Sequence, residues 1–212
     1  GTHENPGRNS TVVYDPDRHH RRSIRLKGHD YRQPGAYFIT IRTHDRACLF
    51  GDIVDGVMQL SDLGRIVWQE WLNTAVVRPY VRIAEEEFVA MPNHVHGIIW
   101  IIADAGARQR RAPTGEYPPL LHDPNDHRAR QPDPTIERFG QPVAGSIPTI
   151  IRAFKSITTN RINQLRGTPN TPLWQRNYYE HIIRDVESLN HIRQYILDNP
   201  AHWAIDGLHP DR

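Results

Sequence analysis

The sequence predicts an α+β domain, with helices interleaved with a mostly antiparallel sheet. Three observations lead there. Runs of β-branched and aromatic residues stand at 35–43 and 94–102. Apolar residues recur at helical spacing over 62–75, 146–165 and 186–199. The two kinds of segment alternate along the chain.

Residues 1–23 are polar, carry His19-His20-Arg21-Arg22 and show no apolar period, so a flexible basic arm is expected there. One domain is expected over 24–203, followed by a tail over 204–212. Its first strand covers 35–43, and residues 50–60 form a short hairpin about Asp55-Gly56. Ser61-Asp62 caps a helix over 62–75, where Leu63, Ile66, Val67 and Trp71 follow the helical period. A second strand over 81–92 is interrupted by Glu85-Glu86-Glu87. Met91-Pro92-Asn93 then turns the chain into a third strand over 94–102.

Residues 103–142 hold seven prolines among scattered Arg and Asp, and an extended insertion is expected. A second helix covers 146–165, with Ser146 as N-cap and Pro148 in the tolerated first turn. Its buried stripe is expected to be Ile147, Ile150, Ile151, Phe154, Ile157 and Leu165. A fourth strand covers 177–184. Asp185 caps a last helix over 186–199, Pro200 ends it, and Asn199 is biased away from helical geometry by that proline. The β-α-β-β-α-β core is the ferredoxin-like pattern, an antiparallel sheet with helices on one face; the last helix is an addition to it.

Composition narrows the function. Cys48 is the only cysteine, which excludes a disulfide framework within the chain and a cysteine metal site. The longest apolar run, residues 98–102, suits a buried strand and is far too short to span a membrane, so a cytoplasmic protein without a membrane partner is expected. Formal net charge is only +2, but the basic residues are unevenly spread. Residues 18–32 hold six basic and one acidic residue, and 143–184 again hold six and one. Of the 26 basic residues 24 are Arg, the better fork for phosphate oxygens. The clusters fit a polyanion partner or a solvated Arg-rich surface.

Three groups of residues could carry chemistry. His94 and His96 share a face of their strand, so both imidazoles can reach one ion; they also fit two core histidines, each with a partner. On the last helix, His191, Tyr195 and Asn199 are spaced by four along the flank of the Leu189, Ile192, Ile196 stripe. Tyr195 fits a nucleophile or an ordinary boundary tyrosine, and Asn199 can offer an oxygen to the same ion. Residues 174–181 mix aromatics with Arg176, as single-strand binders do; Tyr179 and His181 share one face of that strand. There is no Gly-rich phosphate loop, no G-x-S-x-G and no H-E-x-x-H.

In order along the chain stand Met91-Pro92-Asn93-His94-Val95-His96, Arg152-Ala153-Phe154-Lys155-Ser156, Trp174-Gln175-Arg176, Glu180-His181-Ile182-Ile183-Arg184 and Tyr195-Ile196-x-x-Asn199-Pro200. This ordered set resembles the REP-associated tyrosine transposases, members of the single-tyrosine HUH transposases, over about residues 22–203 without the insertion. The resemblance implies His94 and His96 as the metal pair with Asn199 beside them, Tyr195 as nucleophile, and Mg²⁺ or Mn²⁺ as the ion. It implies single-stranded DNA as substrate, beside hairpin-forming palindromes, and nicking and strand transfer through a 5′-phosphotyrosine. His181 and His191 are candidates for supporting the site. Arg152, Lys155, Arg161 and Arg176, with Arg21, Arg22, Arg25 and Lys27 of the arm, are candidates for DNA contact on charge and position. A monomer or a homodimer fits. Two other functions fit the same residues: a non-catalytic single-strand-binding module, and a metal-dependent phosphodiesterase without a covalent step.

Overall fold

The computed structural model describes residues 29–102 and 143–211. The expected N-terminal arm and the insertion over 103–142 lie outside them, and so do Arg21, Arg22, Arg25 and Lys27.

Two strands form the centre: β1, Gly35–Arg42, and β6, His94–Ile101, paired antiparallel with Thr40 opposite His96 and Arg42 opposite His94. Both are buried along nearly their whole length, which is why they read as continuous apolar runs. Between them in the chain come the hairpin strands β2, Gly51–Val54, and β3, Val57–Leu60, then α1, Asp62–Val76, β4, Val81–Arg82, and β5, Phe88–Met91. The hairpin turns through Asp55 and Gly56, both at positive φ, as a two-residue connection requires. The expected second strand is indeed broken: β4 and β5 both pair with β6, and Glu85–Glu87 forms a short 3₁₀ turn between them. Next come α2, Ile147–Arg166, β7, Tyr179–Ile183, and α3, Val186–Asp198. β7 pairs with the free side of β1. The order β7-β1-β6-β5, all antiparallel, with α1 and α2 as crossovers, is the ferredoxin-like fold.

The period of two along the central strands divides the core. Tyr37, Ile39, Ile41, Val95, Ile99 and Ile101 pack under α1 and α2 with Val67, Trp71, Ile150 and Phe154. Ala36, Phe38, Ile98, Trp100 and Ile183 pack under α3 with Leu189, Ile192 and Ile196. The additional helix therefore covers the opposite face of the sheet. His94 and His96, in phase with Ile98 and Trp100, point into that second layer.

The caps are those the sequence predicts. The Ser61 hydroxyl accepts from Gly64 N, Ser146 from Thr149 N, and the Asp185 carboxylate from Ser188 N. Three expectations are corrected. On α2, Ile157 and Leu165 are exposed; Thr158 and Ile162 are buried instead, because the contact stripe runs 147, 150, 151, 154, 158, 162. Pro200 does not end the helical path: Asn199 keeps helical dihedrals (φ −55, ψ −44) and Pro200–Ile205 continues as a 3₁₀ turn. Proline's fixed φ suits the first position of a new turn, and the Asn199 carbonyl accepts from His202 N. The residues expected as a tail are packed at their start, with Asp206 and Leu208 buried. Among the described residues, no helix is long and apolar enough to cross a membrane.

Candidate active site

His94 opens β6 directly after the Pro92-Asn93 turn, and His96 follows two residues on. Their rings lie 4.6 Å apart, and both residues are essentially inaccessible, at 0% and 1% exposure. Each ring is fixed by a partner at Nδ1. The Asn93 side-chain nitrogen donates to Leu208 O at 2.8 Å, so its oxygen faces His94 Nδ1, also at 2.8 Å, and the ring must donate there. Thr40 Oγ1 lies 2.8 Å from His96 Nδ1, placed by the pairing of Thr40 with His96 across β1 and β6.

The Nε2 edges turn toward α3 and the segment after it. Tyr195 Oη lies 3.2 Å from His96 Nε2, and the Tyr195 ring meets the edges of both His96 and Phe38. Tyr195 is half-buried, the most accessible member of the group. Asn199, one turn further, is buried and sits beside His94, where its side chain opposes the fall of that ring's pKa. Hydrogen-bond geometry is nevertheless not reached: His94 Nε2 and Asn199 Oδ1 both end buried without a hydrogen-bond partner among the described residues. Buried polar atoms left so are uncommon. Trp203 and Asp206, from the 3₁₀ turn and its end, close the pocket over His94. Among the described residues, no three His, Cys, Asp or Glu side chains cluster as a metal cage by themselves. The set here is mixed: two imidazoles and an amide.

Burial first, then His96 and Arg42, hold the His94 imidazole well below the usual histidine range. Burial, with Arg42 second, holds His96 at about 3. Both rings are therefore neutral at physiological pH, the form in which imidazole ligates a metal.

The structure brings His94, His96, Tyr195 and Asn199 together. His191 is exposed on α3, one turn ahead of Tyr195, and His181 is half-buried on β7 opposite Phe38. Arg152, Lys155 and Arg161 lie on α2, across the sheet from the histidines. Arg161 is engaged with Glu70 of α1 at 2.5 Å. The Lys155 ammonium donates to the carbonyls of Gln175 and Arg176, and burial lowers its pKa to about 8. It ties the segment before β7 to α2. Arg152 and Arg176 are exposed.

Four residues at or near the site were not singled out by sequence reasoning. Thr40 and Arg42 reach it through strand alternation once the β1–β6 register is known. Asp206 reaches it because the chain continues helically past Pro200. Glu87, wholly buried, accepts from Trp100 Nε1 at 2.7 Å and from Arg193 Nε at 2.8 Å, and so fixes the rotation of α3 beneath Tyr195.

The fold and pocket define an α+β protein with a neutral His pair facing a tyrosine and an amide. A protein of Haemophilus influenzae (strain ATCC 51907 / DSM 11121 / KW20 / Rd), described as an uncharacterized protein, is 42% identical over 201 residues, covering 95% of this chain and 99% of its own length. The chain belongs to the family of that protein. No family model matches it. Among solved structures, it is similar to a REP-associated tyrosine transposase bound to a REP hairpin, with TM-score 0.47, 17% identity, and coverage of 84% of this chain and 73% of that one. It is also similar to a candidate transposase from Deinococcus radiodurans R1, with TM-score 0.38, 17% identity, and coverage of 82% and 97%.

Proposed function

We infer that the protein is a metal-dependent enzyme that nicks single-stranded DNA and transfers the strand through a 5′-phosphotyrosine on Tyr195. One observation carries this reading: the Tyr195 hydroxyl stands 3.2 Å from His96 Nε2, in the pocket that also holds His94 Nε2 and Asn199 Oδ1. A boundary tyrosine has no need of such surroundings.

The donor set fits a divalent ion of the Mg²⁺ or Mn²⁺ kind, since two buried acceptor atoms end there unsatisfied and both rings are neutral. His94, His96 and Asn199 would hold it. When bound, such an ion polarises the scissile phosphate as a Lewis acid.

The chain's own residues do the rest. The Tyr195 oxygen attacks phosphorus and its proton passes to solvent. The bond from phosphorus to the 3′ oxygen breaks, and that oxygen takes up a proton to leave as a 3′-hydroxyl. His96, whose Nε2 would hold the ion, then has no lone pair left to take the phenolic proton, which is why that proton passes to solvent. Arg42 stands close enough to shift both histidines and supplies a cation for the phosphate. The tyrosyl ester keeps the energy of the original diester, so a 3′-hydroxyl can reverse the step without a nucleotide cofactor. The ordered motifs of the sequence support hairpin-forming palindromes as the substrate class.

The test is an incubation with end-labelled single-stranded palindromic oligonucleotide and Mn²⁺ or Mg²⁺, read on a denaturing protein gel. A covalent band carrying the label 3′ of the nick is expected from the wild type and not from Tyr195→Phe or His94→Ala/His96→Ala. Cleavage that survives in Tyr195→Phe would mean hydrolysis by water. Binding without cleavage would leave a binding module.

A further inference from the structure

We propose that Trp203 forms the base subsite for the nucleotide immediately 5′ of the nick, the one that leaves with the 3′-hydroxyl. The inference rests on the reading of Tyr195 as nucleophile and single-stranded DNA as substrate. Tyr195, Asn199 and Trp203 are spaced by four along α3 and the 3₁₀ turn that extends it. That spacing keeps side chains on one flank of a helical path. The ring contacts agree. Tyr195 meets His96 at 5.1 Å, Trp203 meets His94 at 6.0 Å, and the two histidines lie 4.6 Å apart. The aromatic pair therefore brackets the histidine pair, with Tyr195 at the His96 end and Trp203 at the His94 end. Helical rise sets Tyr195 and Trp203 about 12–15 Å apart along that line.

The direction of attack gives the separation its meaning. In phosphoryl transfer the attacking and leaving oxygens stand roughly in line through phosphorus. As the bond from the Tyr195 oxygen to phosphorus forms, the bond to the 3′ oxygen breaks on the far side. A phosphate lying over the histidines and attacked from the Tyr195 end releases its 3′ oxygen toward the Trp203 end. The base of the nucleotide that carries this oxygen then falls beside the indole. Trp203 is half-buried, so it is held in place and still accessible. His209 backs its ring at 4.7 Å and 52°, and His94 meets it at 39°, so neither lies flat on the indole. Its neighbours Ala204 and Ile205 are exposed and uncharged, which suits a stacked base. Stacking on an aromatic ring serves any base. The consequence is retention: the released strand stays beside the phosphotyrosine, ready for its 3′-hydroxyl to reverse the step.

The experiment measures rejoining. Covalent adducts of wild type, Trp203→Phe and Trp203→Ala are mixed with the released strand, its 3′-terminal nucleotide either normal or abasic. The strand concentration that gives half-maximal rejoining is read. With the normal strand, Trp203→Ala should raise it by about fivefold to a hundredfold, the worth of one stacked base, and Trp203→Phe, which keeps a ring, by less. The abasic end should raise it by a similar factor for wild type and have no further effect in Trp203→Ala, because both changes remove the same contact. Equal losses of Trp203→Ala on normal and abasic strands would mean that the indole only shapes the pocket, and no loss would remove it from the site; either overturns the proposal. No adduct from wild type would remove the nicking reading, and this inference with it. If Trp203→Ala does not fold or forms no adduct, photocrosslinking of wild type to a strand with 5-iodouracil at that nucleotide decides. A crosslink on Trp203 supports the subsite, and its absence there overturns it.

Discussion

Replacing Arg193 by methionine tests how Tyr195 is held in place. Glu87 is at 0% exposure and has three hydrogen bonds: Trp100 Nε1 at 2.7 Å, Arg193 Nε at 2.8 Å and Arg193 Nη2 at 2.5 Å. Arg193→Met removes two of the three and all of the compensating charge. Breaking a buried ion pair from one side costs about 3–5 kcal/mol, because the remaining ion stays out of water. The Arg193 side chain is itself 33% exposed, so solvent already screens part of the interaction, and the lower end, about 3 kcal/mol, is expected. Urea unfolding followed by far-ultraviolet circular dichroism measures it. With a slope of about 2 kcal/mol per molar, the midpoint should fall by about 1.5 M. The double variant Glu87→Met/Arg193→Met should recover at least half of the loss, since no buried charge is then left alone. A single variant within about 1 kcal/mol of wild type, with a double variant no better, would refute the reasoning. Because Arg193 is two residues from Tyr195 on α3, the single variant should also lower formation of the covalent adduct.

Two further predictions concern the strand that bears the histidines. A Cβ at Gly97 would lie 2.5 Å from Trp71 Cζ2 and 2.9 Å from Phe88 Cδ2, and the two rings are stacked on each other, so neither can retreat easily. Gly97→Ala should cost about 1–3 kcal/mol by overpacking, and a thermal melt indistinguishable from wild type would contradict this. The second is acid sensitivity without metal. The unfolded chain takes protons on His94 and His96 near pH 6.5, and the folded chain takes them only far lower, so their contribution is present above 6.5 and is lost as the pH falls toward about 3. His96 alone should remove about 2 kcal/mol at pH 5. Urea midpoints at pH 7.5 and 5 in a chelator check it: His96→Gln should flatten the slope, and a variant as acid-sensitive as wild type would count against the burial argument.

What was legible in the sequence is what depends on neighbours in the chain. The helix caps at Ser61, Ser146 and Asp185 lie within three residues of the groups they bind. The period of two put His94 and His96 on one face, and the period of four put Tyr195 and Asn199 on one flank. What was not legible depends on register or on the third dimension. Arg42 belongs to the site only because β1 pairs with β6 with Arg42 opposite His94; a slip of one residue would turn it to the other face. Glu87 read as one of three residues that break a strand, but burial beside Trp100 and Arg193 makes it an anchor. Ile157 and Leu165 fit a helical stripe as well as Ile162 does, and only the packing partner decides which are covered.

The pocket also depends on a contact between distant segments that no motif displays. Asn93 belongs to the turn before β6, where it reads as a turn residue. Its side-chain oxygen accepts from His94 Nδ1, which leaves the lone pair of the ring at Nε2, on the side of Asn199 and Asp206. Its side-chain nitrogen donates to the carbonyl of Leu208, two residues beyond Asp206, which holds the final segment against the histidines. One amide thus selects the tautomer of His94 and closes the pocket from the other end of the domain. Helix α3 meets the histidine strand through its own apolar stripe and Tyr195, and residues 200–208, folded against that turn, close the His94 side of the pocket. This is why spacing along the chain places Tyr195 and Asn199 on one flank but gives no sign that Asp206 lies beside His94.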